Sequence, residues 1–269
     1  VALVALVVSF TFFSLTDFLS QKTSNVIVST ELNITEAVPL TSQPGIENAP
    51  TVSPDGKVLA YVYEEQGSNS SQIILQNLTT HKLIARIPFN TNQKVKQFAP
   101  KFSPNGLNLA FTLYNESEHS CSVYWLTLKD LTQQHRVASC ANRFKMSLDW
   151  SIDGKGLYFT QDINEDLRAL VAANIVDKSI KQITFPEQAG TTDYSPRVST
   201  DGSKLIFVRG QLKPSHHSVI YQINLSGKKD ENKGVNKDKS KEGNSRIYPV
   251  TALTAKKGQG NIFGLTWLN

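Results

Sequence analysis

Ala-Pro-Lys-Phe-Ser-Pro-Asn-Gly (residues 99–106) is followed two residues later by the apolar run Leu-Ala-Phe-Thr (109–112). The same phrase returns as Ala-Pro-Thr-Val-Ser-Pro-Asp-Gly (49–56), Ser-Leu-Asp-Trp-Ser-Ile-Asp-Gly (147–154) and Ser-Pro-Arg-Val-Ser-Thr-Asp-Gly (195–202). Each is followed by its own apolar run, at 59–62, 157–160 and 205–208. The turn glycines Gly56, Gly106, Gly154 and Gly202 lie 50, 48 and 48 residues apart. A period of this size with one hairpin signature per unit predicts a radially repeated all-β array.

The turn has a mechanism. Asp55, Asn105, Asp153 and Asp201 can accept bonds from nearby backbone, and the glycine after each supplies the positive φ of a tight hairpin. Val52, Phe102, Trp150 and Val198 hold one recurring apolar position before the turn. The run after it is continuously apolar, as in a strand covered on both faces. Two further strand-like runs follow in each unit, for example 72–78 and 82–87 in the first. About four short strands per unit make one propeller blade. The predicted fold is an all-β propeller of four complete blades (42–87, 88–140, 141–184, 185–254) and a partial one (255–269), forming an incomplete ring. Residues 34–41 resemble the closing strands of later blades and are expected to be an outer strand.

These residues resemble the TolB-type, WD-like propeller repeat, which reads roughly Pro-x-Phe-Ser-Pro-Asp-Gly-Lys before an apolar strand. The first unit matches through Pro54, Asp55, Gly56 and Lys57; the others depart at Asn105 and Leu107, at Ile152, and at Thr200. The resemblance spans roughly residues 39–269 and implies a fold rather than an activity, since such propellers serve as scaffolds, sensors and peptidase gates.

The net charge of +5 suggests nucleic acid until it is located. Residues 227–246 hold seven Lys/Arg and four Asp/Glu, leaving only about +2 elsewhere. A mixed-charge Gly/Asn-rich tract without aromatics reads as a solvated loop. The opposite end is apolar: residues 1–16 carry no charge, and Asp17 is the first. Sixteen residues fall short of the roughly 20 that span a bilayer, but the chain starts without methionine or a basic segment. A truncated transmembrane helix is expected over 1–20, with a linker over 21–33. A signal-peptide core is the rival, disfavoured because no small-x-small cleavage site precedes Asp17.

Cys121 and Cys140 flank two strand-like runs, 122–128 and 136–139. With the hairpin centred on Asp130 and Leu131, the two cysteines face each other directly, where a disulfide is geometrically allowed. Such a bond implies an oxidising compartment such as the periplasm.

The chemistry sought is not found. No Gly-x-Ser-x-Gly elbow or phosphate-cradling glycine loop occurs. His216 and His217 would point to opposite faces of a strand, and His81, His119 and His135 lack partners at ligand spacing. Asp162, Glu165 and Asp166 form an acidic loop that reads as a solvated turn before a calcium site. Tyr124 and Trp125 are expected to pack between blades. No catalytic residue, cofactor or metal ligand is nominated, and the protein is read as a non-enzyme.

The order of apolar helix, short linker and TolB-type blades resembles the C-terminal half of CadC-like (ToxR-like) regulators. That resemblance implies an inner-membrane protein whose periplasmic propeller receives a protein or small-molecule signal. DNA would be bound only through a winged-helix domain absent from these residues, and a homodimer stays open. The alternatives are a TolB-like periplasmic scaffold and the propeller of a prolyl-oligopeptidase-like peptidase.

Overall fold

The computed structural model describes residues 37–89, 94–141, 147–211, 217–225, 250–253 and 265. The expected membrane helix at 1–20, its linker at 21–33, the charged tract at 227–246 and, except for residue 265, the partial blade at 255–269 lie outside the described residues. Among the described residues no helix is long and apolar enough to cross a membrane.

Sixteen strands are formed there. Blade one is β1 (Gly45–Val52), β2 (Val58–Glu65), β3 (Ser71–Asn77) and β4 (Leu83–Arg86). Blade two is β5 (Val95–Phe102), β6 (Asn108–Asn115), β7 (Ser120–Thr127) and β8 (Asp130–Cys140). Blade three is β9 (Leu148–Trp150), β10 (Gly156–Asp162), β11 (Arg168–Asn174) and β12 (Ile180–Gln182). Blade four is β13 (Thr191–Val198), β14 (Lys204–Gln211), β15 (His217–Asn224) and β16 (Val250–Ala252). Within each blade the strands pair antiparallel in chain order. Single parallel bridges, Ser71 with Lys96 and Arg168 with Thr192, join the blades two by two into eight-stranded sheets.

All four turns close in the same way. The Ser53, Ser103, Ser151 and Ser199 amides donate to the carbonyls five residues on, at 2.8–2.9 Å. Their hydroxyls bond the side chains of Asp55, Asn105, Asp153 and Asp201. Those same side chains accept the amides of Lys57, Leu107, Lys155 and Ser203 at 3.0–3.1 Å. Gly56, Gly106, Gly154 and Gly202 then take φ of 67–73°, which costs a residue without Cβ almost nothing.

A core fills each interface between consecutive blades. Val62, Ile73 and Leu75 of blade one meet Phe102, Leu109 and Phe111 of blade two. Val123 and Ala138 of blade two meet Leu148, Trp150 and Phe159 of blade three. Leu170 and Ile183 of blade three meet Leu205, Phe207 and Ile223 of blade four. Fully buried Phe, Leu and Ile each contribute about 1.5–3 kcal/mol, so hydrophobic stabilisation sits between blades more than within them. Tyr124 packs in the first interface and Trp125 in the second, as the sequence predicts.

Buried polar residues reinforce the interfaces at equivalent places. In blade two, Gln97 accepts the Ile73 amide at 2.7 Å and donates to the Ile87 carbonyl at 3.3 Å. The equivalent residue of blade four is Asp193, fully buried. There Thr184 accepts the Leu170 amide at 2.8 Å and bonds the Asp193 carboxylate.

Three expectations are corrected. Of the outer strand expected at 34–41, residues 34–36 lie outside the described residues and 37–41 form no strand; Pro39 cannot donate to a ladder, and the Leu40 carbonyl instead accepts Gln76 Nε2 at 2.8 Å. The β7–β8 hairpin does not centre on Asp130 and Leu131: Thr127 pairs with Asp130, placing the turn at Leu128 and Lys129. Two register shifts further along restore the alignment, so Cys121 still faces Cys140. Finally, Val52 does not share the burial of its equivalents: it is 50% exposed, against 5% for Phe102 and 2% for Trp150.

Candidate functional site

The first strands of the blades approach one another around the axis, β1 beside β5, β5 beside β9, and β9 beside β13. In three of them the register shifts within the strand, between Asn48 and Thr51, Phe98 and Lys101, and Tyr194 and Arg197. The cause is a β-bulge whose first residue, Ala49, Ala99 or Ser195, adopts φ of 49–55° immediately before proline. A non-glycine residue in this region is strained by roughly 1–3 kcal/mol, and such bulges re-aim the side chains that follow. Those side chains are Thr51, Lys101 and Arg197. Blade three has Leu148 in place of the proline and presents Asp149 at the matching position.

Asp149 joins three blades. Its Oδ1 lies 3.3 Å from Lys101 Nζ of blade two and accepts its own neighbour's amide, Trp150, at 3.1 Å. Its Oδ2 accepts the Val198 amide of blade four at 2.9 Å. Trp150 Nε1 donates to the Lys101 carbonyl at 3.0 Å. Arg197 donates to the carbonyls of Leu148 at 3.5 Å and Leu265 at 3.1 Å. The Asp149 side chain is 10% exposed and that of Lys101 34%: the carboxylate is buried by its bonds while the ammonium reaches solvent. Beside them lies a cavity of about 240 Å³, lined by Thr51, Lys101, Asp149 and the turn residues Pro54, Pro104 and Ile152. This is smaller than the roughly 300–1,000 Å³ usual for small-molecule sites. The arrangement can present charge and hydrogen-bonding groups on a stiff rim; it pairs no nucleophile with a base.

The remaining sequence-nominated groups are elsewhere. Cys121 and Cys140 are bonded to each other, with Cα atoms 5.0 Å apart. Asp162 pairs with Arg168 at 2.8 Å, and Asn164 closes its loop by accepting the amides of Asp166 and Leu167. His135 stacks on Trp125 with ring centroids 4.6 Å apart. Among the described residues no three His, Cys, Asp or Glu side chains are grouped to hold a metal. Sequence reasoning passed over Lys101, Asp149 and Arg197, although their shared position, two residues before the turn serine, was a usable signal. Asp193 and Arg209 carry no local motif at all.

Four-stranded meander blades, repeated through one Ser-x-Asp/Asn-Gly turn each and packed face to face, define a β-propeller. The chain belongs to the TolB beta propeller domain family, whose model matches residues 18–252. It is 26% identical over 189 residues to the Tol-Pal system protein TolB of Francisella tularensis subsp. tularensis (strain WY96-3418), covering 70% of this chain and 40% of that protein. The chain thus spans about two fifths of the length of the curated relatives it matches. Among solved structures, TolB from Acinetobacter baumannii superposes with a TM-score of 0.53 at 25% identity, over 67% of this chain and 42% of that one. A prolyl endopeptidase superposes with a TM-score of 0.50 at 12% identity, over 69% of this chain and 28% of that one, a likeness of fold alone.

Proposed function

We propose that this chain is the propeller of a TolB-like periplasmic scaffold that binds a protein partner on its axial rim, without catalysis of its own. The observation that carries the reading is Asp149, whose one carboxylate ties blades two, three and four and holds Lys101 at the solvent edge. A rim braced in this way loses little entropy when a partner docks, which is what preorganisation contributes to affinity. The family match and the Tol-Pal relatives support it. The Cys121–Cys140 bond suits an oxidising compartment. Residues 1–16 would serve either as an export signal or as an inner-membrane anchor. The CadC-like regulator reading rests on that segment and on domain order, neither of which bears on the blades, so the scaffold is favoured.

The test is calorimetric titration of the purified chain with the soluble domain of the Pal protein from the same organism. Lys101→Ala should weaken binding about tenfold, or ~1.4 kcal/mol, with the loss shrinking as salt rises. An unchanged affinity in a normally folded variant would remove the rim from the interface. No binding by the parent chain would sink the scaffold reading for this partner.

A further inference from the structure

Blade four carries on its blade-three face a set of side chains different in kind from that of blade two. The two faces superpose residue by residue: Phe207 stacks on Tyr221 at 5.7 Å as Phe111 stacks on Tyr124 at 5.9 Å, and both pairs are register partners. One step along each pair of strands, blade two has Leu113 opposite Ser122, and blade four has Arg209 opposite Val219. The next pair on the same face is Asn115 with Ser120 in blade two and Gln211 with His217 in blade four.

The amide side chains at this last position behave differently. Asn115 is used by its hairpin, accepting the amides of Ser117 at 3.0 Å and Glu118 at 3.3 Å. Gln211 is 7% exposed, and among the described residues its Nε2 has no hydrogen-bond partner. A buried N–H left unmade costs the full desolvation of the donor, so such a group calls for a partner. It borders a cavity of about 580 Å³ lined by Phe185, Glu187, Thr191, Arg209, Gln211 and Tyr221. That volume lies within the roughly 300–1,000 Å³ of small-molecule sites.

The lining selects a chemistry. Arg209 is held by Asp193 through two bonds of 2.6 and 2.7 Å, and Glu187 adds an acid, so the cavity does not favour an anion. Phe185 is 45% exposed and offers an apolar face, while Glu187 can accept from hydroxyls and Gln211 can donate to a carbonyl or hydroxyl oxygen. We propose that this cavity, on blade four beside the connection from β12 to β13, binds a neutral sugar, with Gln211 Nε2 donating to an oxygen of the ring substituents and Phe185 packing on its C–H face. The site uses no residue of the axial rim and stands or falls independently of the scaffold reading.

The experiment is ligand-observed saturation-transfer NMR and calorimetry on the whole chain, with N-acetylglucosamine and glucose as probes. The expected result is saturable binding of at least one probe, weakened tenfold or more by Gln211→Leu, whose thermal midpoint should not fall because an unpaired donor is removed. Phe185→Ala, at an exposed position, should weaken the same binding and serves as the deciding variant if Gln211→Leu does not fold. No saturable binding of either sugar to the parent chain would mean that water fills the cavity, overturning the proposal. Binding that survives both substitutions unchanged would overturn it equally.

Discussion

Arg209 grips Asp193 with Nε and Nη2 donating to the two carboxylate oxygens at 2.6 and 2.7 Å, at the place where blade two pairs Leu113 with Gln97. Burial pushes the Asp193 carboxyl up, against the pull of its bonds to Arg209 and Thr184. Burial also works against the charge of Arg209, but its bonds to Asp193 hold its pKa above the ordinary value. A buried pair of this kind is weak as a net stabiliser yet costly to break, because the survivor is left charged and unpaired.

Arg209→Leu should therefore destabilise the protein by about 3–5 kcal/mol. The double variant Asp193→Gln, Arg209→Leu, which installs the blade-two pair, should recover most of that loss. Urea unfolding of the three proteins measures both; a double variant as unstable as the single one would show that the interface depends on the charges themselves.

The turn glycines should differ in their tolerance of a methyl group. A Cβ on Gly202 would lie 2.4 Å from Ile152 Cγ2 of the preceding blade, whereas a Cβ on Gly56 meets nothing within 4 Å. Both positions have φ near +70°, so each substitution carries a backbone strain of about 1–2 kcal/mol. Gly202→Ala adds overpacking of about 1–3 kcal/mol. Thermal melts should rank Gly202→Ala well below Gly56→Ala.

Acid should unfold the protein partly through its turns. Bonds from Ser199, from the Ser203 amide and from the Ser203 hydroxyl lower the Asp201 carboxyl to about 2, and Asp55 and Asp153 are lowered for the same reason, their Ser53 and Ser151 hydroxyls first. A carboxylate with a depressed folded-state pKa stabilises the fold above its unfolded pKa, near 3.8, and loses that contribution as pH falls from about 4 toward 2. Asp201→Asn should keep the turn at neutral pH, since Asn105 already makes the equivalent bonds at 2.7 and 3.0 Å. It should also flatten the acid limb of a stability–pH curve; an unchanged limb would count against the linkage.

Reducing the Cys121–Cys140 bond, which spans 19 residues, should lower stability by about 2–4 kcal/mol in denaturant. Thiol counting on protein unfolded without reductant should find the two cysteines blocked. Two titratable thiols in a folded preparation kept free of reductant would contradict the bond.

The repeat was legible because its parts act locally. A serine, an Asp or Asn two residues on and a glycine close a hairpin by bonds within six residues, whatever surrounds them, and the apolar run after each turn needs cover on both faces. Four such turns at one spacing determine blades and their order from sequence alone. The pairing of Cys121 with Cys140 could also be read, although the assumed turn was misplaced, because the two register shifts compensate. What tertiary structure decided is everything that lies between blades. Val52 and Phe102 occupy one motif position, yet only Phe102 is buried, because burial depends on the neighbouring blade. Asp149 reads as an ordinary polar residue until blades two and four supply Lys101 and the Val198 amide. Arg209 and Asp193 lie 16 residues apart without a motif, and only the pairing of β13 with β14 brings them together. Local hydrogen bonds are encoded by adjacent residues and can be read from them; charges and cavities at an interface belong to pairs of blades, and their energies exist only once those blades are packed.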